Sequence, residues 1–457
     1  MCCTFNKSIT MKRILYLLLL LPYITNAQMT TRIVKDNLFI PWEMVYGPDN
    51  HIWLTQKNGY ICRLDPTNGD MDTLYHETNT VIQSEGGMLG LALHPDFTNT
   101  PYVYVAYEYM NSGNYNERIV RYSYNSSTNT LSGHTVLLDN IAGANYHNGC
   151  RLLIVGDKIF ITTGDATTAS VAQDATKVNG KILRLNLDGS IPTDNPIAGN
   201  PLWSLGHRNA QGLVYANSKL YETEHGPDND DEVNIIEKGR NFGWPNVEGY
   251  CDKPAEITFC NANNVAEPIK AWTPTIAVSD VDYYDHPMFP SLQKSLIMAT
   301  LKDKQLYQLK LNASLDGVAS TSTIAGLSTD RIRALCIGTD GNIFISTSNS
   351  NANASNQVDK IIEIYDPSYS HVANVTNNKG IIISPNPGSD VITIQMPSAV
   401  NRSRSFTVSN TQGTIIMQGQ LLSNTSNLDI SRLANGLYFI KTRDDKGSIL
   451  CGKIVKQ

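Results

Sequence analysis

The chain is expected to be all-β: a six-bladed β-propeller followed by a small C-terminal β-sandwich. Three observations lead there. A turn-and-strand pattern recurs six times, long amphipathic helical windows are absent, and the character of the chain changes near residue 366.

The bulk numbers set the frame. The chain has 457 residues, 41% of them hydrophobic and 17% charged. That is a globular composition, too long for one ordinary core, so one large and one smaller domain are expected. Tyr is frequent at 22, and Thr and Ile recur in short runs, which favours strands. A formal net charge of −6 offers no basic footprint for nucleic acid and no polybasic membrane anchor.

Residues 1–27 read as an export signal. Met11-Lys12-Arg13 is a short basic region, and Met11 is a candidate true start. Ile14 to Leu21 is apolar but too short to span a bilayer, and Thr25-Asn26-Ala27 supplies small residues for cleavage near Gln28. No second long apolar segment follows, so no transmembrane span is expected. Export permits disulfides. Cys251 and Cys260 bracket a polar loop and could staple it, or remain two reduced buried thiols. Cys62, Cys150, Cys336 and Cys451 read as small buried hydrophobes, and no Cys/His spacing suggests zinc.

The repeat runs through residues 31–368. Each copy has a turn with Asp or Asn, a β-rich run, a second turn and a second run. Pro48-Asp49-Asn50 leads into HIWLTQ and YICRLD; HPDFTNT leads into YVYVAYEY and RIVRYSY. Gly156-Asp157 leads into KIFITTGD and KILRLNLDG; Asn217-Ser218 leads into KLYETEHG and DEVNIIEKG. SLIMATLKDKQLYQLKL is the fifth copy, and Thr339-Asp340-Gly341 into NIFISTSN the sixth. A spacing of about sixty residues suits one four-stranded blade with its loops, and six blades close a ring without long exposed edges. Residues 369–379 are a polar linker. Residues 380–457 begin a second set of short strands, long enough for a small β-sandwich.

A propeller carries its site on inter-blade loops at the channel mouth. His147, in Asn145-Tyr146-His147-Asn148-Gly149, is a candidate general base, although a lone His is more often structural. Asp165, ending ITTGD, is either its partner or a turn residue. Arg208 and Asn209 put a guanidinium and an amide together, suited to an oxyanion or to a surface ion pair. The stretch from Glu224 to Glu232 is acidic and turn-rich; it could hold calcium through oxygens, though its spacing is not an EF-hand. Lys302, Arg331 and Arg333 add positive charge on late loops and, with Arg208, could clamp a multiply charged anion.

Many motifs in one order resemble the glucose/sorbosone dehydrogenase family, which includes the soluble aldose sugar dehydrogenases dependent on pyrroloquinoline quinone (PQQ). They are EGGMLGLALHPDF, YHNGCRLL, ITTGD, GHRNAQGL, ETEHGPDNDDEVNII, GRNFGWP, ATLKDKQLY and DRIRAL. The resemblance implies a propeller that oxidises an aldose at C1 to the lactone with PQQ and calcium as cofactors. It implies His147 as base, supported by Asp165, and Arg208 and Asn209 against the quinone. Backbone carbonyls of Gly226 and Pro227 would hold calcium, and Lys302, Arg331 and Arg333 would pair with PQQ carboxylates. Glu85 stands where some members have Gln that meets substrate or cofactor, and Trp272 is a candidate wall of the sugar pocket. The C-terminal segment resembles the sorting domain of type IX secretion. It does so through Ser384-Pro385-Asn386-Pro387, Gly436-Leu437-Tyr438 and Lys453-Ile454-Val455. Partners implied are an aldose, an electron acceptor and the type IX machinery. Two other readings stay open on the residues: a non-catalytic glycan- or protein-binding propeller, and a calcium-dependent lactonase or hydrolase with side-chain carboxylates at the channel centre.

Overall fold

The computed structural model describes residues 28–324, 330–350, 357–369, 381–396, 404–411, 413–443 and 449–457. The expected export signal and the expected linker beyond residue 369 lie outside the described residues. The chain divides into two compact units, Met1–Tyr369 and Ser370–Gln457.

The first unit holds six four-stranded antiparallel sheets. Blades 1 to 5 are formed by residues 41–76, 88–142, 149–205, 210–272 and 278–323. Blade 6 takes three strands from residues 332–365, and the N-terminal strand Thr30–Leu38 pairs with Asp359–Tyr365 to complete it. Six apolar clusters fill the joints between neighbouring blades. One joins blade 1 (Met44, Leu54) to blade 6 (Phe344, Ile361), so the ring closes. Burial of both sheet faces explains why the runs in the sequence are often wholly apolar.

The recurring turn Asp has a visible role. The Asp49 carboxylate accepts from the His51 N–H at 3.3 Å, Trp53 Nε1 at 3.2 Å and Arg63 Nε at 2.7 Å, tying the turn to its blade. The repeat read from the sequence captures the second and third strands of most blades. The innermost and outermost strands carry weaker turn signals and emerge from the structure. So does closure by Thr30–Leu38, because pairing of distant segments leaves no local pattern.

Cys251 and Cys260 are disulfide-bonded with Cα atoms 6.5 Å apart. The segment they bracket is not simply a polar loop: a helix, Pro254–Asn263, begins inside it. Its start has Pro at the first turn and a Glu256 side chain that accepts from the Lys253 backbone N–H. Cys62, Cys150 and Cys336 are buried as expected, whereas Cys451 is half-buried. In the second unit, a three-stranded and a four-stranded sheet share one core of Ile392, Ile394, Phe406, Val408, Ile440 and Ile454. Among the described residues, no helix is long and apolar enough to cross a membrane.

Candidate active site

The floor of the site is built by a repeated irregularity. In all six innermost strands, the pairing with the second strand shifts by one residue near the strand's start. A bulge bends its strand and re-aims a side chain. Trp42, Arg151, Gln211, Ser279 and Arg333 lie within these shifts. Arg151 is held from several sides: its guanidinium meets Glu43 at 2.6 Å and Asp280 at 3.5 Å, and donates to the Gln211 and Ser279 carbonyls at 2.7 and 3.0 Å. Arg333 donates to Gln211 Oε1 at 2.8 Å, and both guanidiniums lie over the Trp42 ring. Burial raises the Glu43 carboxyl to about 7 against the pull of Arg151. A cavity of about 420 Å³ touches Trp42 and Arg333, and a separate one of about 230 Å³ touches Glu43, Arg151 and Asp280. The bulge layer lies between them. Two carboxylates, Glu43 and Asp280, do occupy the channel centre, and both face the Arg151 guanidinium.

His147 and Asp165 are brought together at the head of blade 3. His147 Nδ1 lies 2.7 Å from Asp165 Oδ1. A carboxylate accepts, so Nδ1 carries the hydrogen and Nε2 keeps its lone pair. Asp165 is 1% exposed and also accepts from the Thr167 N–H and from Trp244 Nε1, each at 2.8 Å. The backbone here is strained: His147, Ala166 and Thr167 have φ of 64°, 48° and 62°. Close approach requires Gly164, because a Cβ there would stand 1.8 Å from the His147 carbonyl oxygen.

Glu85 joins this pair to the next blade. Its Oε2 accepts from the His147 N–H at 2.8 Å and from Asn209 Nδ2 at 3.3 Å. The Arg208 carbonyl accepts from the Asp165 N–H at 2.9 Å. Arg208 Nη1 donates to the His225 carbonyl at 3.1 Å, its guanidinium lies 5.3 Å from the Trp244 ring centroid, and its Nε is buried without a partner.

Glu85 also lines the 420 Å³ cavity, together with Lys57, Tyr146, His225, Arg331 and Arg333. Three cations against one carboxylate make this a site for an anion. Burial lowers Lys57 to about 8 and Arg333 to about 10, and Arg333 Nε is buried without a partner. The unpaired Arg333 Nε, together with Lys57, whose Nζ donates to the Ser84 carbonyl, fits an acidic ligand such as PQQ. Lys302 stands apart from this group: it is exposed and bonds Thr275 Oγ1 at 2.9 Å. Trp272 lies on the outermost strand of blade 4, against Tyr307, and is not among the cavity's lining residues.

Gly226 and Pro227 adjoin a void of about 10 Å³ that Glu224, Asp230 and Glu232 also line. That volume suits one water or one ion. The loop is tight: a Cβ on Gly226 would stand 1.9 Å from the Asn229 carbonyl oxygen, and the Asp231 carboxylate accepts from the Gly226 N–H at 2.9 Å. The surroundings are rich in oxygen, as a hard cation such as calcium requires. Burial raises Glu224 to about 8, while its carboxylate faces His207 Nδ1 at 3.1 Å.

Residues 38–356, more than half of the chain, match the family described as Glucose / Sorbosone dehydrogenase. The chain belongs to the glucose/sorbosone dehydrogenase family. Quinoprotein glucose dehydrogenase B of Acinetobacter calcoaceticus is 40% identical over 254 residues, which are 48% of this chain and 53% of that protein. The match thus spans about half the length of that relative. Aldose sugar dehydrogenase YliI of Escherichia coli K12 is 30% identical over 343 residues, 71% of this chain and 91% of that protein. The PQQ-bound aldose sugar dehydrogenase structure from Streptomyces coelicolor superposes with a TM-score of 0.64 at 27% identity. It covers 74% of this chain and 98% of that one. Residues 382–457 match the secretion system C-terminal sorting domain, which marks the protein for secretion or the cell surface through the type IX system.

For this family member, several site residues escaped sequence reasoning. Lys57 sits in a plain KNG turn and Trp42 at a strand start, with no local signal. Trp244 lay inside GRNFGWP without a reason to single it out. Tyr146 had one available signal, its place directly before His147.

Proposed function

We propose that the protein is an exported, PQQ- and calcium-dependent sugar dehydrogenase that oxidises the C1 hydroxyl of an aldose to the lactone. The observation that carries this reading is the His147–Asp165 pair, tied through Glu85 to a cavity walled by Lys57, Arg331 and Arg333. The names of the relatives support it further. PQQ bound in that cavity would supply a two-electron acceptor for the C1 hydride.

The protein's own residues do the rest. His147 Nε2 takes the proton from the anomeric hydroxyl, which makes the C1 hydride a better leaving group. Asp165 holds the ring in the correct tautomer and stabilises the imidazolium that forms. Arg208, with an uncommitted Nε, would stabilise negative charge on the acceptor, and Asn209 is held near it through Glu85. Lys57, Arg331 and Arg333 would balance the cofactor's carboxylates. The Gly226 and Pro227 carbonyls would hold calcium. The Arg151 layer closes the channel beneath, so sugar enters from one side only.

The test is titration of the purified apo-protein with PQQ, with and without calcium, followed by dye reduction with a panel of aldoses. Saturable PQQ binding and calcium-dependent turnover are expected. Absence of both PQQ binding and turnover rejects the reading.

A further inference from the structure

Blade 2 is built differently from the others. Its second, third and fourth strands have 10, 12 and 13 residues, against 5, 5 and 6 in blade 1. Pairing continues to Asn111↔Asn114 at the hairpin tip and to Asn116↔Ala142, and the Gly143 N–H donates to the Tyr115 carbonyl at 3.0 Å. The long hairpin thus faces the segment that leads to His147. Between them lies a groove of about 760 Å³.

None of the residues lining this groove is charged; they are amides, hydroxyls, aromatics and small residues, among them Asn111, Asn114, Tyr115, Asn116 and Asn145. The neighbouring cofactor cavity, in contrast, is lined by three cations. Tyr146 lines both spaces, is 53% exposed and directly precedes the base. The groove is within the size of ordinary small-molecule sites, about 300–1,000 Å³.

We infer that this groove is a subsite for the second and later residues of a neutral oligosaccharide, whose reducing end is presented to His147. The inference rests on the sugar-oxidising reading above and narrows its substrate class. Only the reducing-end residue has a free anomeric hydroxyl, so everything attached to it must leave the base for a neighbouring space. Amides supply donors and acceptors without charge, matching polyol hydroxyls. Aromatic rings cover apolar C–H faces. A uronic acid polymer would find no cation here.

The experiment uses the full chain loaded with PQQ and calcium. The kcat/KM values for glucose, cellobiose, cellotriose, maltose and maltotriose are compared. One oligosaccharide series exceeds glucose by about tenfold, chiefly through KM, and Tyr115→Ala brings that ratio close to one. The readout is a ratio within each variant, so partial misfolding lowers both terms and leaves it intact. A ratio near one in the wild type with glucose oxidised, or a ratio unchanged by Tyr115→Ala, overturns the inference. The second arm is calorimetric binding of the methyl glycosides of cellotriose and maltotriose, which cannot be oxidised, to protein without PQQ. Binding of one, weakened about tenfold by Tyr115→Ala, supports the groove; binding of neither overturns it. If no sugar is oxidised at all, the dehydrogenase reading fails while this arm still decides the groove.

Discussion

Asp165→Asn keeps the shape of a side chain and removes its charge, and the geometry determines the consequence. Three groups donate to the carboxylate. His147 Nδ1 and the Thr167 N–H reach Oδ1 at 2.7 and 2.8 Å, and Trp244 Nε1–H reaches Oδ2 at 2.8 Å. The Thr167 and Trp244 groups can only donate. Asparagine offers one acceptor and one NH2, so in either orientation an N–H must face an N–H. With NH2 toward Trp244, His147 keeps its tautomer but loses the anion that stabilises the imidazolium. With NH2 toward His147, the ring accepts at Nδ1, its hydrogen moves to Nε2, and the base is lost. A positioned base contributes about 10²–10⁴-fold, so kcat/KM for aldose oxidation should fall by that factor, about 3–5 kcal/mol of barrier. The assay is dye reduction by PQQ- and calcium-loaded protein, paired with a PQQ titration to show that cofactor affinity is kept. A rate within about threefold of the wild type, with binding intact, refutes the assignment of His147 and Asp165 as the base pair.

Other outcomes follow from the same geometry. Glu85→Gln retains an acceptor for the His147 N–H but removes the anion beside Lys57, Arg331 and Arg333; PQQ affinity should rise about tenfold by fluorescence titration, and weaker binding contradicts the role given to Glu85. Lys57 is charged below about 8 and loses that charge above it, so PQQ affinity should drop as pH rises through that value. Lys57→Met should weaken binding near pH 7 by about 1.5–3 kcal/mol and abolish that pH step; a step that survives the substitution removes Lys57 from the cofactor site. Arg151→Met leaves Glu43 and Asp280 buried without their cation, a loss of about 3–5 kcal/mol in urea unfolding. The sign is set by Glu43, whose folded pKa of about 7 lies above its usual 4.5. Its favourable protonated form is complete below the unfolded value and lost as pH rises through about 7. Removing Arg151 pushes that pKa higher, so the destabilisation should be larger at about pH 8.5 than at about pH 5.5. Equal losses at the two pH values count against the pairing.

The readable part of the site had a common property. His147, Asp165, Arg208, Asn209 and Gly226-Pro227 sit in turn-rich loops whose residue order is distinctive, so the sequence alone singles them out as candidates. The structure brings His147 and Asp165 into contact and ties Asn209 and Arg208 to them through Glu85 and backbone bonds. The cationic wall was read less well. Arg331 and Arg333 line the cavity, Lys302 is exposed and does not line it, and Lys57, which the sequence does not single out, does. Trp272 packs between blades instead of lining the cavity, because the strand that carries it is the outermost of its sheet.

The sequence by itself determined the all-β class, the sixfold repetition, the family and the loops that are candidates for the chemistry. These depend on local turn chemistry and short apolar runs, which neighbouring residues specify. Tertiary structure alone decided the one-residue shift in every innermost strand, the closure by Thr30–Leu38 and the meeting of Lys57, Arg331 and Arg333 around one cavity. The closure and the cavity join segments hundreds of residues apart, which leave no periodic trace along the chain; the shifts arise between adjacent strands, where register is set by which side chains the ring buries.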